Sequence, residues 1–352
     1  MFLAGGDELV LRIAVDAMGG DYAPLEIIKG VIDAVERVEG LEILLVGRAE
    51  QLNGPDGKNI ISPRISIVHA EEIIGNNEDP GLAIRSKRNA SMVVALELVR
   101  QGRADAMLSC GSTGALMAGG LLFLGKISGI KRPALLTIIS ALGGEQFVIL
   151  DIGANMDARL EQMLQYALMG AIYARRMLGI ESPRIALLNV GVEENKGNQQ
   201  VKSAYGLFKR KLHGFVGNLE AKEIFAAKAD VVVCDGFAGN VMLKVMEGIS
   251  REIFLFLGEQ IAGNAQTRAV APQLAPLLQS VRAELDEAEY GGALLIGLNG
   301  ICIKCHGASR QRAISQAIIR QVYPLIQRDI NREIELALTG GWFNEEADDE
   351  KG

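Results

Sequence analysis

Short, nearly continuous apolar runs alternate along the chain with longer segments whose apolar positions recur every three to four residues. The runs predict strands over residues 12–16, 42–46, 65–68, 104–109, 134–140, 147–150, 184–190 and 231–234. Between them, helical spacing covers residues 25–38, 91–100, 160–178 and 200–212. Strands apolar on both faces and separated by helices imply an α/β fold: an open, mostly parallel sheet with helices on both faces. Residues 237–285 break the rhythm, because two long helical patterns follow one another around Gly263 and Asn264 with little strand character. That stretch predicts a protruding helical hairpin. Residues 310–338 read as one long closing helix, and the acidic residues 345–352 as a disordered tail. The expected organisation is a single α/β catalytic domain over residues 12–338, carrying the hairpin at 237–285 and preceded by an atypical N-terminal extension over residues 1–11.

Chemistry concentrates where predicted strands stop. Residues 13–21 read IAVDAMGGD, so a strand ends in Asp16, two glycines and Asp21. Gly19 and Gly20 let backbone amides approach a ligand closely, which suits an anion, although a tight turn with no ligand has the same spelling. Other strand ends carry Ser109-Cys110-Gly111-Ser112-Thr113-Gly114, Asp151-Ile152-Gly153-Ala154-Asn155, Asn189-Val190-Gly191 and Asp235-Gly236-Phe237-Ala238-Gly239-Asn240. In an open parallel sheet the carboxyl ends of the strands form the ligand crevice, so several such loops point to one site. Ser112 and Thr113 offer hydroxyls for an anion or simply cap a helix. Lys196, in EENKGN after a strand, is either a cation for phosphate or an oxyanion, or a solvated surface lysine. Asn240 is a cap-region residue or a ligand contact. Cys110 is either a nucleophile in a glycine loop or a small buried residue.

Composition narrows the class. The 352 residues suffice for a sizeable core, and four cysteines with no secretory leader pattern at the start fit a reduced, cytoplasmic protein. A net charge of −7 and 5% aromatic residues exclude a general nucleic-acid binder. The conspicuous apolar stretch 115–124 is far short of the roughly 20 residues that span a bilayer, so any membrane contact is peripheral. GLLFLGK at 120–126 imitates a nucleotide phosphate loop, but Ile127 stands where a hydroxyl should meet Mg²⁺. Cys302-Ile303-Lys304-Cys305-His306 has haem-attachment spacing, yet that chemistry belongs to exported proteins. No Ser/His/Asp triad is supported, with only His69, His213 and His306 available and no nucleophile elbow. No metal or cofactor is expected.

Seven blocks, in order, resemble the PlsX family of bacterial phosphate acyltransferases: IAVDAMGGD, SCGSTGA (109–115), KRPAL (131–135), LDIGAN (150–155), LLNVGVEENKGN (187–198), DVVVCDGFAGNVMLK (230–244) and YGGALLIGLNGICIKCHGAS (290–309). The likeness runs from Arg12 to Ala337. It implies a fold related to phosphate acetyltransferases and isocitrate-type dehydrogenases. It further implies transfer of a fatty acyl group from acyl carrier protein to inorganic phosphate, giving an acyl phosphate for glycerol 3-phosphate acylation in phospholipid synthesis. The resemblance also implies a homodimer at the inner face of the cytoplasmic membrane, feeding a glycerol-3-phosphate acyltransferase. Lys196 and Asn240 are then the expected catalytic or positioning residues, with His306 as an acid or orienting group. Asp16, Gly19, Gly20, Asp21, Ser109, Gly111, Ser112, Thr113, Asn155 and Asp235 would line the substrate and phosphate site. Two departures stand out. The family loop usually reads SAGNTGA, where this chain has Cys110 and Ser112, and its usual AHGSS segment here carries Cys305 and Ala308. Two other classes compete: a nicotinamide-dependent dehydrogenase, whose G-x-G-x-x-G fingerprint is missing, and a non-enzymatic membrane scaffold.

Overall fold

The computed structural model describes residues 10–53, 62–263, 265–285 and 291–343. Most of the expected N-terminal extension, Asn264 of the hairpin turn, and the acidic tail lie outside the described residues. The described residues form eleven strands: β1 (Leu11–Asp16), β2 (Leu41–Gly47), β3 (Ile65–His69), β4 (Ala106–Ser109), β5 (Ala134–Ser140), β6 (Gln146–Leu150), β7 (Ile185–Asn189), β8 (Phe215–Glu220), β9 (Val231–Val233), β10 (Ala293–Ile296) and β11 (Ile301–Lys304). Twelve α-helices accompany them among the described residues, in an α/β architecture with a mostly parallel open sheet and helices on both sides.

The expected span 12–338 comprises two compact units. Unit 1, residues 1–127 and 290–331, has strand order β3-β2-β1-β4-β11-β10, parallel except for the antiparallel β10/β11 pair. Its strands are apolar on both faces: Ile13, Val15, Ile43, Leu45, Met107 and Ile303 are fully buried. α1 (Leu25–Arg37) keeps Ile27, Val31, Ala34 and Val35 inward, at helical spacing. Because β1 leads on to β2 and β3 on one side while β4 lies on its other side, the chain reverses direction across the sheet between β1 and β4. Such a reversal opens a crevice at the carboxyl ends of the two strands.

Unit 2, residues 128–289 and 332–352, has the order β5-β6-β9-β7-β8, with only the β5/β6 pair antiparallel. α6 (Leu160–Met177) fills its core with the fully buried Met163, Tyr166 and Leu168. α7 (Gln199–Lys211) follows β7, capped by the Asn198 side chain, which accepts from the Val201 N–H at 2.9 Å. The hairpin is α8 (Gly236–Gly263) and α9 (Ala265–Leu285), two long helices packed on each other. Beyond Met242 no described side chain of either helix is buried.

One expectation fails. The closing segment is not a single helix but α10 (Gln311–Gln316), a π-helical stretch (Ala317–Val322), α11 (Tyr323–Arg328) and α12 (Ile330–Thr339). Asp329 sits in the left-handed region with φ 43°, which no continuous right-handed helix accommodates.

Candidate active site

In unit 1 the β1/β4 reversal holds a braced pair of glycine loops. The Ser109 hydroxyl donates to Asp16 Oδ2 at 2.6 Å, and the Gly111 N–H donates to Ser109 Oγ at 3.0 Å. Asp16 Oδ1 accepts from the Met18 N–H at 3.2 Å. Both Asp16 and Ser109 are buried, so this triangle joins the ends of β1 and β4 away from water, where such bonds hold most firmly. Gly19 and Gly20 are required by the closeness of the two loops. A Cβ on Gly19 would fall 2.6 Å from Asp16 Oδ2 and 2.7 Å from Gly111 N, and Gly20 has φ 105°. Asp21 ties this turn to the segment after β11, its N–H donating to the Gly307 carbonyl at 2.8 Å. His306 precedes that glycine and is exposed; its Nδ1 accepts from the Ala308 N–H at 3.1 Å, which places the proton of a neutral ring on Nε2.

Asp16, Ser109 and Gly111 thus satisfy one another and act as a brace. Among the described residues the Gly19 and Gly20 N–H groups make no hydrogen bond. They are donors at a strand-end crevice, which is anion chemistry. Ser112 is the N-cap of α5 (Thr113–Gly119), its Oγ accepting from the Ala115 N–H at 3.4 Å, so its capping role is filled while Thr113 opens the helix. The phosphate-loop imitation at 120–126 continues α5 as a π-helical stretch (Gly120–Leu124) ended by Gly125 at φ 73°.

In unit 2 the expected residues follow β6, β7 and β9 at their carboxyl ends. The hub is Asp151, which sequence reasoning quoted but passed over in favour of Asn155. Its fully buried carboxylate accepts five hydrogen bonds, from the N–H groups of Leu135, Gly153, Ala154 and Asn155 and from Asn155 Nδ2, at 2.7–3.1 Å. Burial raises its pKa while these donors pull it down. Asn155 Nδ2 also donates to the Pro133 carbonyl at 2.8 Å, which spends both amide hydrogens on structure. The available signal was a carboxylate opening a loop of small residues, whose N–H groups can turn back onto it. Beside Asp151, the Tyr166 hydroxyl is buried without a hydrogen-bond partner among the described residues, and burial pushes its pKa up.

The loop after β9 closes onto that hub. Asp235 Oδ1 accepts from the Ala238 N–H at 2.7 Å and so caps α8. Gly239 meets Asp151 so closely that a Cβ would lie 2.0 Å from its carbonyl oxygen. Half-buried Asn240 lies over Gly153, where a Cβ would sit 3.5–3.6 Å from its side chain. Lys196 is exposed on the loop after β7, held by the backbone: its N–H donates to Glu193 O at 3.1 Å, and Asn189 Nδ2 donates to its carbonyl at 3.2 Å. No ion pair engages its ammonium among the described residues. A recess of about 450 Å³ lined by Asp157, Arg159, Gln199 and their neighbours includes none of these residues, and without convergent strand-end chemistry it is not the site.

Comparison with known proteins shows the family. Residues 11–332 match the family model described as fatty acid synthesis protein. The chain is 48% identical over 332 residues to the phosphate acyltransferase of Caldanaerobacter subterraneus subsp. tengcongensis, covering 94% of this chain and 98% of that one. It is 46% identical to the phosphate acyltransferase of Geobacillus thermodenitrificans, covering 91% and 96%. A branched-chain phosphotransacylase from Enterococcus faecalis V583 shares the fold at TM-score 0.57 and 14% identity, over 90% of this chain and 99% of that chain. A phosphotransacetylase from Streptococcus pyogenes does so at TM-score 0.53 and 17% identity, over 90% and 94%. The matching family and relatives favour acyl transfer over the dehydrogenase and scaffold alternatives. The chain belongs to the fatty acid synthesis protein family, among the phosphate acyltransferases, and is an enzyme of acyl transfer to phosphate.

Proposed function

We propose that the acyl donor is a fatty acyl thioester of acyl carrier protein and that inorganic phosphate attacks it directly. The observation that carries this reading is the pair of bare amides at Gly19 and Gly20, held over the β1/β4 reversal by the Asp16–Ser109–Gly111 brace. Phosphate is already a dianion near neutral pH, so it needs alignment and charge compensation rather than a strong base. A phosphate oxygen bonds to the thioester carbon, and the carbonyl becomes an oxyanion that the Lys196 ammonium stabilises. The carbon–sulfur bond then breaks. Carrier thiolate leaves, with His306 Nε2–H as the proton source, and acyl phosphate remains. Asn240 positions the substrate from the first turn of α8, Asp21 and Thr113 shape the loops of the β1/β4 reversal, and Asn155 and Asp235 shape the strand-end loops of unit 2.

The exposed apolar hairpin supports two further assignments: a homodimer, and peripheral contact with the inner face of the cytoplasmic membrane. No helix among the described residues is long and apolar enough to cross a membrane. A labile acyl phosphate released at the bilayer surface would reach a glycerol-3-phosphate acyltransferase there. The test uses purified protein, palmitoyl-loaded acyl carrier protein and phosphate, with the product trapped by hydroxylamine. Hydroxamate formed in equal amount to free carrier thiol, and only with phosphate present, is the expected result. Thiol release without hydroxamate would make the protein a thioesterase in this assay and overturn the proposal.

A further inference from the structure

Two cysteines nearly two hundred residues apart in sequence come together at neighbouring strand ends. Cys110 follows β4 and Cys305 follows β11, and these strands are parallel neighbours with Ser109 opposite Lys304. The Cys305 N–H donates to the Ser109 carbonyl at 2.9 Å, which carries the pairing one step past the strands and sets Cys305 beside Cys110. Adjacent strands lie about 4.8 Å apart. That falls within the roughly 4.4–6.8 Å of Cα separation that a disulfide bridges. Both cysteines are reduced and buried at these neighbouring positions. Lys304 adds a cation, its Nζ donating to the carbonyls of Cys110, at 3.5 Å, and Cys305. The contact with Cys110, and then burial, raise the Cys305 thiol pKa, while the Lys304 charge opposes them.

We propose that Cys110 and Cys305 are a reversible oxidation site for hydrogen peroxide, closing to a disulfide that disables the Asp16–Ser109–Gly111 brace. Peroxide is little larger than water, and Cys110 packs directly beneath the Gly20 turn, where a Cβ on the glycine would come within 2.8 Å of the Cys110 Cβ. In the first step the Cys110 sulfur attacks one peroxide oxygen. A sulfur–oxygen bond forms, the oxygen–oxygen bond breaks, and the departing hydroxide takes the thiol proton as water. In the second step the Cys305 sulfur attacks the Cys110 sulfenic acid. The sulfur–sulfur bond forms, and hydroxide leaves with the Cys305 proton as a second water. Two thiols lose two electrons, and one peroxide is reduced to two waters.

Cys110 lies between the two residues that bond to one another in the brace, Ser109 and Gly111. Drawing its sulfur to the roughly 2 Å of a covalent bond with Cys305 pulls the glycine loop with it. The functional half of the proposal rests on the reading of these loops as the phosphate site; the covalent half does not.

The intact protein, reduced and freed of reductant, is treated with hydrogen peroxide, and two readouts are taken. Non-reducing peptide mass spectrometry should find the Cys110 peptide joined to the Cys305 peptide. Acyl phosphate formation should fall by about a hundredfold, the scale of misplacing reacting groups by about 1 Å, and return with dithiothreitol. Cys110→Ala and Cys305→Ala should each retain activity and resist peroxide, whereas Cys302→Ala, buried on the same strand, should remain sensitive. If one of the protective variants fails to fold, the other decides. Absence of the linked peptide while activity is lost, or a linked peptide with activity unchanged, overturns the proposal. If the untreated protein makes no acyl phosphate, the functional reading fails by itself, and the linked peptide still decides the oxidation site.

Discussion

Lys196 is carried on a backbone held at both of its peptide groups, so its ammonium is delivered from a fixed point although the side chain is exposed. That arrangement suits a group whose task is to meet charge that develops only during reaction. Lys196→Ala should lower turnover by about a hundredfold, the usual cost of one oxyanion stabiliser, with little change in thermal stability. Near-normal turnover in the folded variant would return Lys196 to the role of a surface lysine. Asn240 and the glycine turns were legible as strand-end residues because polar and small residues there have no packing reason to recur, whereas the role expected of His306 came only from the family resemblance. The Asp151 hub and the Cys110–Cys305 contact were not. The hub's only sign in the sequence is a carboxylate opening a loop of small residues, and the cysteine pairing joins residues far apart in sequence, which no local periodicity encodes.

Among the elements, the hairpin is the one whose sequence and surroundings disagree most. Val241, Val245, Ile249, Ile253 and Phe256 form a stripe at steps of three and four along α8, and Val270, Leu274, Leu277 and Val281 do so along α9, all exposed. A stripe of that kind is a face made to be covered. Replacing Val270, Leu274 and Leu277 with Ser should reduce flotation with anionic liposomes while leaving the mass of the proposed dimer and soluble turnover intact. Loss of the dimer instead would assign α9 to a subunit interface, and no change in either would remove the hairpin from both roles. The eight strands foreseen from sequence are all present, and all but the partly exposed edge strand β3 have most of their apolar run buried. Three more were missed. β8 is a half-exposed edge strand interrupted by Gly217, and β10 and β11 are four-residue strands within one glycine-broken apolar run. The closing helix was drawn too long because helical spacing continues through Asp329 even though the backbone does not.

At the scale of the whole molecule, a net charge of −7 works against docking of the acidic carrier protein proposed as donor unless local positive charge guides it. Lys209, Arg210 and Lys211 at the end of α7 form such a cluster, with Lys209 bonded to Glu194 at 2.6 Å. Lys126, Lys131 with Arg132, and Arg175 with Arg176 supply further basic residues. Charge reversal at the docking cluster should raise KM for acyl carrier protein well above any change in KM for phosphate, and added salt should mimic it. Equal changes for both substrates at every cluster would rule out electrostatic docking. The strand order also has a temporal side. β4, which ends at Ser109, finds its neighbour β11 only after nearly two hundred further residues have left the ribosome, whereas every strand of unit 2 comes from the continuous stretch between them. Until then β4 is an open edge, and the loop to be closed is long. Unit 2 should therefore acquire protected amides first when the protein refolds, with β4 and β11 trailing together in pulsed hydrogen exchange. Simultaneous protection of both sheets would contradict this order. A chain cut short before β11 would carry its catalytic loops on an unfinished sheet, which makes complete synthesis itself a condition for assembling the phosphate site.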